Sequence, residues 1–384
     1  MSKRINTGLV VNGTELVSEA AWNAELDSKQ AQISEWLKAQ GLAAVLLRRN
    51  ENVAWVTGGA VSLTVCTAAE TGTAALLITA AGMRYYFTTD NEAARAKDEE
   101  FGKTDFEPVI FPWFADDSND AAIKLAGGPL ASDTPVDGAR LVNLAALRAS
   151  LSDTEIARYE WLCQESAAAT VEALHEVEPG MSEYDMQAVT EANLLRRGIM
   201  PSVALYGVDE RIYNYKHAVP RGARLKNYAM LNLCSRRWGL VCSITRFIYF
   251  GQAPAELLTR FEAAAAVHAA LLDASRPGVS GAQLYAVAKE AYKVQGFEGD
   301  ETFHHQGGAA GYGEREWVAT PNGKETVVNR QGFAWNPSIR GGKAEDTVVL
   351  VDGKIRNLTA TPTLPAINVT VNGTVYTSAG LLVK

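Results

Sequence analysis

The feature that most constrains the fold of this chain is an internal repeat in its second half. Residues 179–199, PGMSEYDMQAVTEANLLRRGI, align without gaps on residues 277–297, PGVSGAQLYAVAKEAYKVQGF. In both copies Pro-Gly breaks one helix and a serine follows at an N-cap position, where its oxygen accepts hydrogen bonds from first-turn N–H groups. Another helical segment precedes each copy and a strand-rich stretch follows it. We therefore predict two helix–helix–sheet halves related by a pseudo-twofold axis. The alternative is a chance likeness of two capped amphipathic helices.

The chain ahead of the repeat has a different pattern. Residues 19–41 carry apolar side chains at helical spacing up to Gly41, LAAVLLR is typical of a buried strand, and TAALLIT and MRYYFTT predict a hairpin. At 384 residues the chain exceeds the usual size of a single core. We predict an α/β domain over residues 1–150 and a second domain over residues 151–384.

Composition argues against several classes of partner. The formal net charge is −8, which argues against nucleic acid and against an anionic membrane surface. The start, MSKRINTGLVVNGTELVSE, lacks the apolar run of a signal peptide, and no stretch of about 18 apolar residues occurs elsewhere. The four cysteines form no CxxC pair, which favours free thiols over disulfides. We expect a cytoplasmic protein with a small-molecule partner.

Two strand pairs are predicted to meet in one pocket. The stretch MLNLCSRRWGLVCSITRFIYFG predicts a hairpin about SRRWG, with Asn232 and Ser243 on opposing strands. The stretch GFAWNPSIRGGKAEDTVVLVDG predicts two strands around a Gly-Gly turn, with Asn336 on the first and Glu345 at the start of the second. Pairing the two halves places Asn232 against Asn336, and Ser243 against Glu345.

A third motif, FHHQGGAAGYGERE at residues 303–316, combines histidines, glycines and glutamates, as metal hydrolase sites do. If the His304-His305 pair lies in a strand, its rings point to opposite faces, so both are not expected to ligate one ion. The glycines allow the backbone to approach a ligand closely. His175 and His268 lie in alanine-rich helical segments, and we expect them to be structural.

Taken in their order along the chain, the three motifs resemble those of the pita-bread family of creatinase, aminopeptidase P, prolidase and methionine aminopeptidase. The resemblance implies an α+β protein, with a pita-bread C-terminal domain of two pseudo-symmetric halves preceded by a creatinase/prolidase-like α/β N-terminal domain. It also implies a homodimer in which the first domain of one subunit reaches the pocket of the other. In that case Arg48, Arg49, Asn52 or Trp55 contributes across the interface.

Metal-dependent members of the family hold two divalent ions with two aspartates, one histidine and two glutamates. The matching positions in this chain are Asn232, Ser243, Gly308, Asn336 and Glu345. One remaining carboxylate does not offset the lost hydration of two divalent cations, so we expect neither metal nor cofactor. The alternative is a rebuilt metal site of His304, His305, Glu316 and Glu345.

Creatinase is a metal-free member, and resemblance to it implies that His217 is the catalytic acid and base, since imidazole exchanges protons near neutrality. It also implies that Glu345 and Glu316 bind the cationic end of the substrate, and that Arg246 or Arg315 binds its carboxylate. The structural alternatives are a hydrogen-bonded loop role for His217, pairing of Glu345 with Arg246 or Lys343, and pairing of Arg315 with Glu314. The remaining substrate-binding candidates are Asn232, Ser243, His304, His305, Tyr312, Trp335 and Asn336. For the aromatic ones, core packing is the alternative.

The function that follows is a metal-independent hydrolase of an amide or amidine C–N bond in a small amino-acid-like substrate. Peptide hydrolysis and creatine itself are not favoured. Three alternatives stay open at this point. They are a lyase that uses the same pocket, a catalytically silent small-molecule-binding protein, and a metallo-aminopeptidase or prolidase with unusual ligands.

Overall fold

A computed structural model describes residues 8–384; residues 1–7, on which part of the expectation of a missing leader rests, lie outside it. The chain divides into two compact units. One takes in the described chain up to Arg148 together with Ser152–Arg158 and Trp238–Leu240, and the other takes in Ala149–Leu151, Tyr159–Arg237 and Val241–Lys384. Within residues 8–384, none of the helices has the length and hydropathy that spanning a bilayer requires. All four cysteines are free thiols.

The first unit is built on a six-stranded sheet in the order β6-β5-β4-β3-β7-β8. Its elements are β1 (Leu9–Val11), β2 (Thr14–Val17), α1 (Glu19–Ala39), β3 (Ala44–Arg49), α2 (Asn50–Val56), β4 (Thr71–Thr79), β5 (Arg84–Thr89), α3 (Asp90–Arg95) with a π-helical turn (Ala96–Phe101), β6 (Glu107–Phe111), α4 (Ser118–Ala126), β7 (Leu130–Ser132) and β8 (Ala139–Leu141). The predicted first helix, the buried strand and the β4–β5 hairpin are confirmed.

Asp133 holds the end of β3 in place. Its carboxylate accepts hydrogen bonds from the backbone N–H groups of Arg48 and Arg49, at 2.8 and 3.0 Å, and from Nδ2 of Asn52 at 2.9 Å. Asn52 and Trp55 are each 2% exposed. This burial does not favour a contribution of Asn52 or Trp55 to a partner's pocket, and a contribution of Arg48 or Arg49 stays a prediction.

The chain from residue 153 onward contains a four-stranded sheet in the order β21-β11-β10-β9 and a five-stranded sheet in the order β13-β12-β14-β17-β18. Its elements are α5 (Asp153–Glu176), α6 (Glu183–Leu195), β9 (Met200–Val208), α7 (Glu210–Asn214), β10 (Tyr228–Arg237), β11 (Leu240–Tyr249), α8 (Ala255–Ala274), α9 (Gly281–Val294), a 3₁₀ turn (Asp300–Thr302), β12 (Gly307–Ala310), β13 (Trp317–Val318), β14 (Gly332–Trp335), β15 (Ser338–Ile339), β16 (Gly342–Lys343), β17 (Asp346–Val351), β18 (Lys354–Asn357), β19 (Ala366–Val371), β20 (Thr374–Ala379) and β21 (Leu382–Val383).

The repeated sequence is a repeated structure. Ser182 caps α6 and Ser280 caps α9, and in each case the side chain three residues later completes a capping box. Each cap residue also forms a single antiparallel bridge with the chain that follows its helix, Ser182 with Arg224 and Ser280 with Thr326. The second helix of each pair, α6 or α9, is thus connected at its cap to the following chain in the same way. The predicted α+β fold with two similar halves is confirmed.

The core of the second half lies between α8, α9 and the five-stranded sheet. Trp335 is fully buried there, stacks on Phe333 at 5.7 Å between ring centroids, and donates its Nε1–H to Ser275 Oγ at 3.1 Å. The expectation that Trp335 contacts substrate is wrong, because its faces and its polar atom are used in the core. Tyr312 is also fully buried.

A buried ion cluster joins α1 to the start of α5 inside the first unit. Lys29 Nζ lies 2.5 Å from Glu25 Oε1 and 2.8 Å from Glu155 Oε1, and Arg158 Nη2 lies 2.7 Å from Glu25 Oε1. Burial by itself raises the pKa of Glu25, but the attraction of Lys29 and Arg158 outweighs burial and lowers it to about 2.

This lowered pKa predicts a defined pH dependence of stability. The contribution of ionised Glu25 is complete above its unfolded pKa near 4.5 and is lost as the pH falls toward 2, which amounts to roughly 3 kcal/mol. Glu25→Gln should therefore lower the free energy of unfolding at pH 7, and its difference from wild type should shrink by pH 3. Urea unfolding at both pH values measures this. Glu35→Gln, at an exposed position on the same helix, is the control. An unchanged difference at pH 3 would contradict the assignment.

Candidate functional site

The first pair of site residues lies on the hairpin of β10 and β11. Its turn residues, Trp238 and Gly239, both have positive φ angles, 54° and 78°, which suit the twist of a two-residue hairpin loop. Asn232 on β10 is 4% exposed and Ser243 on β11 is fully buried. The prediction that these two lie on neighbouring strands is confirmed.

The second pair lies at the ends of two strands of the other sheet. Asn336 directly follows β14 and Glu345 directly precedes β17, and these strands pair antiparallel with Trp335 opposite Asp346. Ser243 is tied to this sheet, because its backbone N–H donates to Thr347 Oγ1 at 2.8 Å. The Oδ1 atom of Asn336 is buried and accepts no hydrogen bond from the described residues. Ser243 thus contacts the strand that follows Glu345, and the placement of Asn232 against Asn336 stays a prediction.

Glu345 is held by two cations of the protein itself. Lys343 Nζ lies 2.7 Å from Oε2 and Arg315 Nη2 lies 3.2 Å from Oε1, and the Thr245 hydroxyl donates a further hydrogen bond. Burial raises the pKa of Glu345, but Lys343 and Arg315 outweigh it and lower the pKa to about 2. The alternative pairing of Glu345 with Lys343 therefore forms, and these contacts do not favour the expected role of Glu345 as the binder of a cationic substrate group. This cluster carries one net positive charge.

Arg315 bridges the two halves. Besides Glu345, it donates from Nη1 to Ser243 Oγ at 3.1 Å and to its neighbour's carbonyl, Glu314 O, at 2.6 Å. Glu314 itself pairs with Arg236 at 3.2 Å, so the alternative pair of Glu314 with Arg315 does not form. The Nε–H group of Arg315 is buried and has no acceptor among the described residues.

Arg246, the other candidate for a substrate carboxylate, is 2% exposed and fully engaged. Its guanidinium donates to Thr361 Oγ1, Thr245 O, Glu345 O, Asp346 Oδ1 and Thr359 O, at 3.1, 2.8, 3.1, 2.7 and 2.7 Å. These five hydrogen bonds use all five N–H donors of an arginine. The expectation that Arg246 binds substrate is therefore wrong.

Three histidines come together beside this cluster. His217 lies in the loop after α7, and its Nε2 is 3.1 Å from Nε2 of His304. His304 and His305 precede β12, outside any strand, and their rings stack at 4.3 Å between centroids with 25° between planes. The opposite orientation expected of these rings in a strand does not apply, because this segment is irregular. One ligand atom from each ring lies within 4.8 Å of the others.

The histidines are neutral near neutral pH. Burial, then Lys343 and the neighbouring imidazoles, lower the pKa of His304 to about 3. Burial, then Arg315 and Lys343, lower that of His305 to about 4. The pKa of His217 is also lowered, first by burial and then by Lys343. A charged imidazole is unfavourable next to the net positive charge of the Lys343–Glu345–Arg315 cluster. Among these lone pairs, that of His305 Nδ1 already accepts a hydrogen bond from the Gly307 backbone N–H at 3.2 Å. One of the two Nε2 atoms of His217 and His304 donates to the other.

Gly308 lies on β12 between two partner strands, opposite Val318 and Ala334. A Cβ atom at this position would lie 2.0 Å from the carbonyl oxygen of Trp317. Real Cβ atoms essentially never approach a neighbour that closely. The position that the family uses for a histidine ligand therefore has no space for any side chain here.

The remaining candidates have other contacts. Oε1 of Glu316 accepts a hydrogen bond from the Gly313 backbone N–H at 3.1 Å inside its own loop, which does not support a catalytic role. Tyr312 is fully buried, as core packing requires. His268 is fully buried with Nδ1 2.9 Å from Ser378 Oγ, in agreement with the structural role expected for it.

Sequence reasoning missed the pairing of His217 with His304, which depends on two loops that no local pattern connects. It named Lys343 only as an alternative partner of Glu345. A signal was present, because residues i and i+2 of an extended chain lie on the same side, as Lys343 and Glu345 do in GKAED. The same spacing places Thr245 on the same side of β11 as Ser243, but no role was predicted for Thr245.

Both parts of the chain match families of known proteins. Residues 159–352 match Metallopeptidase family M24, and residues 29–176 match the Creatinase/Prolidase N-terminal domain. An Xaa-Pro dipeptidase of Pyrococcus furiosus is 24% identical over 225 residues, which are 56% of this chain and 64% of the relative's length. The chain thus matches less than two thirds of that protein.

Two solved structures have the same fold. The dipeptidase PepE of Mycobacterium ulcerans is similar with a TM-score of 0.74 and 16% identity, covering 94% of this chain and 98% of its own. The prolidase of Pyrococcus horikoshii OT3 is similar with a TM-score of 0.72 and 20% identity, covering 87% and 98%. At these identities the likeness shows the fold alone.

The geometry at Gly308 predicts a large effect of a single methyl group. Gly308→Ala should lower the free energy of unfolding by about 3 kcal/mol or more, because the new Cβ forces β12 away from Trp317. Gly311→Ala is a matched control, since its Cβ would meet nothing closer than 3.8 Å. Urea unfolding of both variants measures the difference. Equal stabilities would contradict the close approach described here.

The pairing of Glu345 makes a second prediction. Lys343→Met should cost roughly 3 kcal/mol of stability, because it removes one of two cations from a buried carboxylate. In a Glu345→Gln background the same Lys343→Met change should cost much less, because the carboxylate that Lys343 pairs with is already absent. Chemical denaturation of wild type, both single variants and the double variant measures this coupling. Equal costs of Lys343→Met in the two backgrounds would contradict it.

Proposed function

The chain belongs to metallopeptidase family M24, and we propose that it is a hydrolase that works without the family's two metal ions, on a C–N bond of a small amino-acid-like substrate. The observation that carries the proposal is the pairing of Glu345 with Lys343 and Arg315, at 2.7 and 3.2 Å. Two cations of the chain thus surround the one carboxylate that the site retains.

The residues at the family's metal positions do not fit a pair of divalent ions. Asn232, Ser243 and Asn336 offer neutral oxygens, and Gly308 has no space for a ligand. Divalent ions need anionic or imidazole donors to replace their hydration, and here the only anion is already neutralised by lysine and arginine. A dication next to Lys343 and Arg315 would also be repelled.

Fixed cations can take over part of the work of a metal ion. In C–N hydrolysis negative charge develops on the oxygen or nitrogen of the attacked group, and preorganised donors in a water-poor site stabilise it. Lys343 and Arg315 together carry one positive charge more than Glu345 neutralises, so they supply such a field. The unused Nε–H of Arg315 is a further donor in the same place.

His217 is the proposed general base. Its ring is exposed to solvent, and the His304 Nε2 atom 3.1 Å away restricts its orientation. It takes a proton from a water molecule as the water oxygen attacks the carbon of the C–N bond. The resulting imidazolium then gives the proton to the leaving nitrogen. Acid–base catalysis of this kind contributes roughly 10²- to 10⁴-fold.

The three imidazoles favour a second candidate, a hydrolase with a single rebuilt metal site. Two nitrogens 3.1 Å apart are compatible with metal–nitrogen bonds of about 2.0–2.1 Å. The repulsion by Lys343 and Arg315 makes this the weaker proposal. A lyase reaction, a silent binding protein, a homodimer and a cytoplasmic location stay predictions from the sequence.

The two candidates are separated by metal removal and by one substitution. We expect the purified protein to hold no stoichiometric metal and to hydrolyse members of a panel of N-acyl amino acids and amidines equally well after dialysis against EDTA. His217→Ala should lower turnover roughly 10²- to 10⁴-fold, because the base is lost. His175→Ala, which removes an exposed histidine of α5, is the control.

Loss of activity on chelation together with about one equivalent of bound metal would establish the second candidate instead. Binding of panel compounds without turnover by wild type would contradict both hydrolase proposals and leave the silent binding protein.

A further inference from the structure

Trp113 and Phe114 form an exposed aromatic pair just after β6 in the first unit. Their rings contact each other edge to face, with 5.6 Å between centroids and 87° between planes. Trp113 is 68% exposed and Phe114 is 74% exposed, and Ile110, on β6 itself, is 50% exposed. A single exposed apolar residue needs no explanation, but a group of large ones, two of them aromatic, is typical of a surface that binds a partner.

These side chains adjoin an open edge of the sheet. β6 is the last strand in the order of the six-stranded sheet, so its outer edge has no strand neighbour within residues 8–384. Val109 and Phe111 pack against the core of the unit, whereas Ile110 between them lies on the other face. An extended segment of another chain can add to such an edge through main-chain hydrogen bonds.

The charge around this edge is negative. Residues 107–120 contain no lysine, arginine or histidine and four exposed acidic residues, Glu107, Asp116, Asp117 and Asp120. Arg48 reaches the segment, since its Nη2 donates to Asn119 Oδ1 at 2.7 Å, and its charge attracts that of Asp116. One cation therefore stands against four carboxylates.

We propose that the outer edge of β6, together with Ile110, Trp113 and Phe114, binds an extended basic peptide segment of another protein. An apolar side chain of that segment lies against the two rings, and its lysine or arginine side chains lie near the acidic residues. Complementary charge of this kind favours one class of partner over others, and the aromatic faces also attract cations.

The same charge argues against other occupants. A second copy of this chain, related by a twofold axis, would place the acidic residues of the two copies opposite each other. Nucleic acid and an anionic membrane surface would be repelled as well.

Three fluorescein-labelled heptapeptides test the chemistry of the partner: KVKFKVK, EVEFEVE and KSKSKSK, each titrated with the intact protein and followed by fluorescence anisotropy. We expect KVKFKVK to bind roughly 10- to 100-fold more tightly than the other two, because it alone supplies both the positive charge and the apolar side chains. Its affinity should fall as salt is added, since exposed charges are screened.

Two double variants locate the binding surface. Trp113→Ser with Phe114→Ser should weaken KVKFKVK binding about 10-fold or more, because the apolar contact is lost. Asp117→Asn with Asp120→Asn should reduce the preference for KVKFKVK over EVEFEVE. Phe303→Ser, which removes an aromatic side chain of the other unit that is 70% exposed, is the matched control and should leave binding unchanged. Circular dichroism and urea unfolding check that each variant is folded.

Equal affinity for the three peptides, tighter binding of EVEFEVE, or no binding of any peptide would overturn the proposal. Full affinity in the Trp113→Ser, Phe114→Ser variant, or a loss of affinity in Phe303→Ser, would place the binding elsewhere and overturn it too. Sedimentation of the unliganded proteins tests the second copy. A wild-type dimer that the Trp113→Ser, Phe114→Ser variant converts to a monomer would assign this surface to self-association instead.

Discussion

The contact of Glu345 with Lys343 and Arg315 governs the chemistry of the whole site. It fixes a buried carboxylate in its ionised form and leaves one positive charge in excess. Burial lowers the pKa values of the three neighbouring histidines, and Lys343 lowers them further. An isolated buried carboxylate would need a proton or a metal ion, and here the chain supplies the counter-charge.

The scaffold that creates this contact is the pairing of two similar halves. In each half a helix pair, whose second helix is capped by a serine, is followed by the strands of a sheet. The site residues lie where the strands of the two sheets meet. Arg315 and Arg246 both cross this junction, but they differ in function. Arg246 has all its donors engaged by other groups of the chain, whereas the buried Nε–H of Arg315 has no acceptor among the described residues. Membership of family M24 thus accounts for the scaffold, whereas the charged side chains determine the electrostatics of the site.

Much of the fold could be predicted because it depends on local patterns. The capped repeats, the Trp-Gly hairpin turn and the strand alternation each follow from residues within one turn or one strand. The chemistry could be predicted only partly. The sequence shows that Asn232, Ser243 and Asn336 are uncharged. It does not show that Arg246 and Glu345 are engaged by other groups of the chain, because residue identity alone does not reveal which partner a charged side chain meets.

The sequence by itself determined the pseudo-symmetric α+β fold, since this fold depends on residue identity and short spacing, and it shows that Asn232, Ser243 and Asn336 carry no charge. The tertiary structure decided how the remaining charge is balanced and which histidines act together. His217 and His304 are 87 positions apart, and their 3.1 Å approach arises from two loops brought together by packing. The exclusion of any side chain at Gly308 has the same origin, because it depends on the carbonyl oxygen of a neighbouring strand.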